Sequence, residues 1–381
     1  MKVLLRDNNG VCECFKRFLT LESNLLKADK VVVWNDLVGA EKRIVEMAKE
    51  YGKESIIIEH GMKAITDYQK NLYDNIWRMG GKTLIADKIC VWGKVSADIL
   101  LEAGISKDRV FTVGSPIVWN YEYKYNCGDD ERVVPWFGGK TILDKTDGRE
   151  WKLTGHRQYI PKHEESKYVL FFPFHDFTTY GAENNRRIWN QIKHRDDVVI
   201  KLSTPYARDD SSNPFQEIVQ YEQKRAELIR EKTNDELAGR VSNVKEIPPP
   251  KGFIADIRKP MSVALNKRLL AKASVGVMGA PGTTNGIAWA IGVPTIVPKI
   301  DWGWRIDGKQ AYDIHEADYG CEKEEINETI DRVLKEDFKK KEREKSAIEF
   351  MGIDKGNPRD NILSVLNNKG QFIKVICGNT I

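Results

Sequence analysis

Residues 274–297 constrain the fold more than any other stretch, because they predict a strand, a glycine turn, a helix and a second strand in succession. In order these are Ser274–Met278, the turn Gly279-Ala280-Pro281-Gly282, a helix that Thr283 or Thr284 can cap, and Val293–Val297. Gly292 is typical of a helix end, and Pro294 prevents the helix from continuing. The unit therefore predicts neighbouring strands of a parallel sheet.

The turn and the start of its helix are candidates for phosphate binding. The first N–H groups of a helix have no intrahelical acceptor, and the helix dipole is positive at that end. Glycines in such a turn allow backbone angles that other residues resist. We therefore expect Gly279, Gly282, Thr283 and Thr284 to contact a phosphate. The alternative is that the turn only connects a strand to a helix.

Strands and helices alternate along the rest of the chain, which predicts parallel sheets with helices on both faces. The first half has predicted strands at Lys2–Arg6, Lys30–Trp34, Ser55–Ile58, Lys88–Trp92 and Arg109–Val113, and predicted helices at Phe15–Lys27, Glu41–Tyr51 and Val95–Ala103. The second half has strands at Tyr168–Phe172 and Val198–Leu202, helices at Asn184–Lys193, Asn213–Glu236 and Ser262–Lys272, and two or three helices over 324–366.

A chain of 381 residues is longer than one core usually serves. Between 119 and 167 the pattern breaks down into an irregular stretch rich in aromatic and charged residues. We expect an N-terminal α/β domain over 1–120 and an insertion and linker over 121–167. A second α/β domain is expected over 168–340, and a helical tail over 341–381.

Composition and hydropathy bear on the class of protein and leave nucleic-acid binding open. The net charge of +4 comes from 60 basic and 56 acidic residues, a balance that does not indicate a nucleic-acid-binding protein. No stretch approaches the ~18 apolar residues of a membrane span, and the N-terminus lacks a signal-peptide pattern. The six cysteines are scattered, which favours free thiols in a cytoplasmic protein. Peripheral contact with a membrane stays open.

Polar residues follow several predicted strands, at the edge where parallel sheets bind ligands. His60 and Gly61 end one strand, and a histidine can accept a proton from an acceptor hydroxyl at neutral pH. Gly114 and Ser115 end another strand of the first domain and are candidates on the acceptor side. A structural histidine that bonds a neighbouring loop is the alternative for His60.

Three polar residues end strands of the second domain. His175 and Asp176 follow its first strand, and Lys201 lies near the end of the next. Their place at strand ends makes them candidates for lining a ligand site. The alternative for Asp176 is a helix cap.

The string GAPGTTNGIAWAIGVPTIVP, beginning at Gly279, resembles the donor segment of GT-B glycosyltransferases. Its nearest parallels are the MurG-type N-acetylglucosaminyltransferases, the UDP-N-acetylglucosamine 2-epimerases and the CDP-glycerol glycerophosphotransferases. The resemblance implies a GT-B architecture, with two doubly wound domains facing a central cleft and the tail packing back toward the N-terminal domain. Many members carry a glutamate five residues before the glycine of G-x-P, where this chain has Ile287.

Glu59-His60-Gly61-Met62-Lys63 resembles the His-Gly-x-x-x-Lys segment of teichoic-acid polymerases, in which the histidine is regarded as the base. Lys63 stands nearer to the histidine here. Lys201 matches the lysine of the K-x-H-P string of the glycerophosphotransferases, whereas the histidine of that string is absent. The resemblance thus implies His60 as base, Lys201 at the diphosphate, and a donor such as a UDP-sugar, with no metal and no further cofactor.

The implied function is transfer of a sugar, or of a sugar-like alcohol phosphate, from a nucleotide-diphosphate donor to an acceptor hydroxyl. A carbohydrate or lipid-linked acceptor from surface-carbohydrate synthesis is expected. One alternative is a DNA glycosyltransferase acting on hydroxymethylated pyrimidines in viral DNA, since some such enzymes share this architecture. Others are a UDP-sugar 2-epimerase and a catalytically silent binding protein, which the replacement of glutamate by Ile287 keeps open.

Overall fold

The structure is a computed structural model of the 381-residue chain. It describes residues 1–6, 20–33, 39–59, 61, 84–118, 141–143, 150–152, 168–173, 179–195, 197–202, scattered positions over 215–239, 254–255, 270, 273–300, 305–306, 309–310 and 314–367. Every structural statement below refers to these residues.

The first sheet is six-stranded, and its strands run in the order β2-β1-β3-β4-β5-β6 with every neighbouring pair parallel. Its strands are β1 Lys2–Arg6, β2 Thr20–Leu21, β3 Lys30–Val33, β4 Glu54–Ile58, β5 Lys88–Val91 and β6 Val110–Thr112. Helix α1 spans Gly39–Glu50 and α2 spans Lys94–Glu102, with short 3₁₀ segments at Leu25–Lys27 and Lys107–Arg109.

The second sheet is also six-stranded and parallel, in the order β11-β10-β9-β12-β13-β16. Its strands are β9 Tyr168–Phe172, β10 Val198–Leu202, β11 Ile254–Ala255, β12 Ala273–Met278, β13 Thr295–Lys299 and β16 Tyr319–Glu322. Helix α3 spans Thr179–Ile192 and α4 spans Thr283–Ala290. Two antiparallel pairs complete the strands: β7 Thr141–Leu143 with β8 Glu150–Lys152, and β14 Arg305–Ile306 with β15 Lys309–Gln310.

The predicted α/β class with two parallel sheets is confirmed by this topology. The strands predicted from buried β-branched runs are observed with ends shifted by a residue or two. The predicted helix over Phe15–Lys27 is wrong, because its described part contains β2 and a 3₁₀ turn. The side chain of Asn24 accepts from the N–H of Leu26 at 2.9 Å, a local bond that competes with helix formation.

Three C-terminal helices follow the second sheet, as the sequence predicts: α5 Ile326–Lys335, α6 Lys340–Met351 and α7 Pro358–Leu366. Helix α6 contacts both α2 of the first sheet's region and α4 of the second's. Helix α7 packs on the first sheet, where Ile362 and Leu366 are buried among residues such as Ile56 and Cys90. The chain thus returns to the first sheet at the end of its described part. The boundaries of the expected domains stay predictions.

Buried apolar residues form one large cluster around the second sheet and two around the first. The large cluster also contains Trp92 from the end of β5, together with Phe350 and Met351 from α6. Apolar packing therefore joins the two sheets through α6. No helix in the described part of the chain is long and apolar enough to cross a membrane.

Candidate active site

The predicted donor turn lies at the switch point of the second sheet. The first strand of this sheet, β9, pairs with β10 on one side and β12 on the other, so successive strands leave β9 in opposite directions. Ligands of open α/β sheets bind outside the carboxyl ends of the strands at such a point. The N–H of Gly279 donates to the carbonyl oxygen of Phe172 at 2.7 Å, which holds the turn at the ends of β12 and β9.

Gly282 directly precedes helix α4 and has an extended backbone, with φ −178°. A Cβ added there would meet no heavy atom within 4 Å. The expectation that this glycine supplies a backbone angle closed to other residues is therefore wrong. The space around its Cα is open, which leaves the approach to the helix N-terminus unobstructed by the described residues.

Asn285 holds the turn against the first turn of α4. Its Oδ1 accepts from the N–H of Gly282 at 3.0 Å, and its own N–H donates to the carbonyl of Gly282 at 2.9 Å. The first bond is one half of a capping box, in which the residue three positions into the helix satisfies the N–H of the residue before it. The second bond joins two backbone groups, because glycine has no side chain. The orientation of the turn is therefore fixed by one fully buried amide side chain.

Asp318, which precedes β16, lies beneath α4 and is fully buried. Its Oδ1 accepts from Asn285 Nδ2 at 3.2 Å, from Trp289 Nε1 at 3.0 Å and from the hydroxyl of Thr295. Its Oδ2 is buried and has no hydrogen-bond partner among the described residues. Burial raises the pKa of Asp318 to about 6, against the opposing effect of the three donors.

The loop after β4 reaches the N-terminus of α4 from the first sheet. A Cβ added to Gly61 would lie 3.1 Å from Oγ1 of Thr283. The two segments that the sequence singles out, one in each half of the chain, therefore come together. His60, next to Gly61, lies outside the described residues, so its role as a base stays a prediction.

Glu59 fixes the start of that loop. Its side chain is buried, and its two carboxylate oxygens accept from the N–H of Trp92 at 2.6 Å and from the hydroxyl of Ser96 at 2.6 Å. Trp92 follows β5 and Ser96 lies in the first turn of α2. The residue before His60 is thereby tied to the neighbouring strand and helix of the first sheet.

Gly114 and Ser115, the other candidates on the acceptor side, are buried under the segment after α6. The N–H of Ser115 donates to the carbonyl of Met351 at 2.8 Å. Gly114 has φ +83°, and a Cβ there would lie 3.0 Å from the carbonyl oxygen of Gly352. Their observed contacts are packing contacts, and acceptor binding by either residue stays a prediction.

The structure describes the other predicted site residues only in part. Lys201 lies in β10, paired with Ile254 of β11, and the structure describes its backbone. Lys63, His175 and Asp176 lie outside the described residues. Ile287, which stands where the segment that this turn resembles often has glutamate, is 2% exposed and belongs to the large apolar cluster. A side chain there points into the core of this protein rather than toward a ligand.

Sequence reasoning missed Asn285, Asp318 and Glu59. An asparagine three residues after the turn glycine is a weak capping signal that could have been read. Asp318 is 33 positions from Asn285 along the chain, and nothing local marks it as buried. Glu59 sits next to the predicted base, but its anchors, Trp92 and Ser96, become neighbours only in the folded sheet.

No protein-family model matches this chain, and no curated protein sequence matches it. Its fold is similar to solved structures at low identity. A UDP-GlcNAc 2-epimerase from Neisseria meningitidis bound to UDP-GlcNAc is 14% identical, with a TM-score of 0.49, over 90% of this chain and 77% of that one.

A HepE protein from Anabaena in complex with UDP-glucose is 12% identical, with a TM-score of 0.42, over 97% of this chain and 100% of that one. An S. aureus MnaA–UDP structure is 14% identical, with a TM-score of 0.47, over 91% of this chain and 75% of that one. At TM-scores below 0.5 these similarities carry no argument about the activity of this chain.

Proposed function

We propose that this protein is a GT-B type glycosyltransferase, which moves a sugar or a sugar-like alcohol phosphate from a nucleotide-diphosphate donor to an acceptor hydroxyl. One observation carries the proposal. The loop that begins with Glu59 and contains His60 meets the N-terminus of α4 at the switch point of the other sheet, with Gly61 against Thr283. A transferase needs its base and its leaving-group site within reach of one bound substrate.

The donor end of the site consists of the turn and the start of α4. Gly279 is held by Phe172 and Gly282 by Asn285, so the N–H groups of Thr283 and Thr284 begin a helix whose position is fixed. Fixed N–H dipoles at a helix N-terminus stabilise the charge that develops on a leaving diphosphate. In this proposal Lys201, His175 and Asp176 complete the donor side, and no metal ion takes part.

The acceptor end is assigned to His60, with Gly61 and Lys63 beside it. The imidazole accepts the proton of the acceptor hydroxyl as the oxygen forms a bond to the reacting centre of the donor. That centre is the anomeric carbon of a sugar, or the phosphorus of an alcohol phosphate. The bond from it to the nucleotide's phosphate oxygen breaks, and the nucleotide leaves with the electron pair. Glu59, held by Trp92 and Ser96, supports the loop that carries the base.

The acceptor we propose is a carbohydrate or lipid-linked precursor of a surface polymer, handled in the cytoplasm. This choice rests on the resemblance of the 59–63 segment to teichoic-acid enzymes. The balanced charge of the chain supports it over a DNA acceptor, because a duplex requires a surface that neutralises several phosphates.

A thermal-shift screen of UDP, CDP, GDP and their sugar or glycerol conjugates tests the donor. A ligand at a hundredfold excess over its Kd stabilises the folded state by about 2.7 kcal/mol, so a true donor is easily detected. Absence of a shift with every member of the screen contradicts the proposal and favours the silent binding protein.

Product analysis then separates the enzyme classes. The donor that binds is incubated with the protein alone and with candidate polymer precursors. Transfer only with an acceptor is the expected result. An isomerised nucleotide sugar without acceptor would instead identify a 2-epimerase. Sugar transfer to duplex containing 5-hydroxymethylated pyrimidines, with tight salt-sensitive binding in a gel shift, would identify the DNA enzyme.

A further inference from the structure

We propose that Asp318 is a positioning residue for the nucleotide-binding turn, and that it acts through the amide of Asn285. The inference rests on the proposed function insofar as it gives the turn Gly279–Gly282 and the start of α4 the role of holding the donor diphosphate. Asp318 itself lies behind α4, in the interior. Its effect on the donor is therefore indirect.

The link from Asp318 to the turn consists of two hydrogen bonds. Asn285 Nδ2 donates to Asp318 Oδ1 at 3.2 Å, and Asn285 Oδ1 accepts from the N–H of Gly282 at 3.0 Å. Asp318, Asn285 and Gly282 thus form a hydrogen-bonded chain that runs from the core to the turn. Asn285 and Asp318 are fully buried, so the bond between them is shielded from water, whereas the bond to Gly282 is partly buried.

The carboxylate decides which way the amide of Asn285 points. An amide has a donor end and an acceptor end of nearly the same shape, so packing alone does not distinguish its two orientations. An ionised carboxylate accepts only, and therefore requires the NH₂ of Asn285 on its side. The carbonyl oxygen is then directed at Gly282. The reversed amide would place two donors, its NH₂ and the N–H of Gly282, against each other.

Two further donors hold the carboxylate in position. Trp289 Nε1 lies 3.0 Å from Asp318 Oδ1, and the hydroxyl of Thr295 donates to the same oxygen. The backbone carbonyl of Asp318 accepts from Lys339 Nζ at 2.7 Å. Within the described residues, the Trp289 indole and the Thr295 hydroxyl bond to each other and to Asp318, and neither is hydrogen-bonded to the turn. Removing the Thr295 hydroxyl is therefore a matched control, which disturbs the carboxylate but leaves the link to Gly282.

Filling a core position with a carboxylate is unfavourable for the free energy of folding. Removing a charged group from water is unfavourable unless its oxygens are well satisfied, and Oδ2 of Asp318 has no partner in the described part of the chain. An apolar side chain of similar volume would serve packing better. Besides accepting from Trp289 and Thr295, the carboxylate sets the direction of the Asn285 amide, which an apolar side chain cannot do.

The test compares Asp318→Ala with Thr295→Val by amide hydrogen exchange over 279–285 and by calorimetric titration with UDP. Loss of one hydrogen bond to a charged group corresponds to a change of about tenfold or more. We expect Asp318→Ala to accelerate exchange in 279–285 by about tenfold and to weaken UDP binding by a similar factor. Thr295→Val should lower stability while leaving both values within about threefold of the wild type.

Swapping the two side chains in a double variant tests whether the order of the turn can be restored. Asn285→Asp alone places two carboxylates against each other and should accelerate exchange in 279–285. In the double variant Asn285→Asp/Asp318→Asn, the carboxylate at 285 accepts from Gly282 and from the amide at 318, so exchange should return toward the wild-type rate. A general packing role does not predict this recovery.

Equal hydrogen-exchange rates over 279–285 in Asp318→Ala and Thr295→Val would overturn the inference. It would also be overturned if these amides exchanged as fast in the double variant as in Asn285→Asp. If Asp318→Ala does not fold, the comparison of Asn285→Asp with the double variant Asn285→Asp/Asp318→Asn decides by itself. If the wild-type protein binds none of UDP, CDP and GDP, the proposed function fails, while hydrogen exchange still decides whether Asp318 orders the turn.

Discussion

Gly352, which ends helix α6, lies in close backbone contact with the end of the first sheet. Its backbone is left-handed, with φ +60°, and its N–H donates to the carbonyl of Ile348 at 3.1 Å. A Cβ added there would lie 2.1 Å from the carbonyl oxygen of Trp92 and 3.0 Å from Cα of Gly114. Both atoms belong to backbone at the carboxyl edge of the first sheet, so neither can move away as a flexible side chain would.

The expected effect of Gly352→Ala is the sum of two terms. A left-handed backbone is unfavourable for alanine by about 1–2 kcal/mol. Overpacking against fixed neighbours adds about 1–3 kcal/mol. We therefore expect the free energy of unfolding to fall by about 2–5 kcal/mol. Gly292→Ala provides the control, because Gly292 is also left-handed, with φ +81°, but a Cβ there meets no atom within 4 Å.

Urea unfolding followed by tryptophan fluorescence measures both variants. All ten tryptophans of the chain contribute to this emission, so it follows the global unfolding of the protein. Gly292→Ala should lose only the backbone term of about 1–2 kcal/mol, and Gly352→Ala should lose clearly more. Equal losses in the two variants would show that α6 does not press on Trp92 and Gly114, and the close packing of α6 on the first sheet would then be refuted.

Two further predictions concern the site. His60→Ala should lower turnover by ~10²–10⁴ with nearly unchanged donor affinity, the range for loss of a general base; steady-state kinetics with retention of more than half the turnover would remove His60 from the mechanism. The second concerns Asp318, whose pKa is raised from the ordinary value of 3.8 to about 6 in the folded protein. Because the folded state holds this proton more tightly, its contribution to stability is present below about pH 4 and is lost as the pH rises through 6, by up to about 3 kcal/mol. Asp318→Asn lacks this dependence, so the difference in unfolding free energy between wild type and variant should change between pH 4.5 and 7; a constant difference would contradict the shifted pKa.

Local sequence patterns were sufficient for the central strands of both sheets and for the turn. Buried β-branched runs such as Lys30–Val33 and Glu54–Ile58 are strands in the structure, and the Gly279–Gly282 turn leads into α4 as expected. These features depend on residues close together in the chain, where periodicity and turn chemistry act directly. The edge strands Thr20–Leu21, Ile254–Ala255 and Tyr319–Glu322 were not predicted. The first two have only two residues each, too few to show a periodicity.

The contacts that complete the candidate site could not be predicted from the sequence. Asp318 bonds Asn285 and Thr295 from 33 and 23 positions away, and the packing of the 351–358 segment on Gly114 and Ser115 joins positions still farther apart. Such pairs are brought together by the order of the strands and by the return of the C-terminal helices. A strand-end position indicates that a residue can face a ligand, but Gly114 and Ser115 show that another element of the same chain can cover it.

Calorimetric titration of nucleotide diphosphates into the wild type and Gly282→Val tests the central claim most directly. A side chain at the residue before a helix lies next to the N–H groups of the first turn, where the diphosphate is proposed to bind. The variant should fold, because residue 282 is extended and a Cβ there meets no atom within 4 Å. The account predicts that UDP, or whichever of CDP and GDP the wild type prefers, binds the wild type and Gly292→Ala but not Gly282→Val. Unchanged affinity in a folded Gly282→Val protein would contradict it and would place the phosphate site elsewhere.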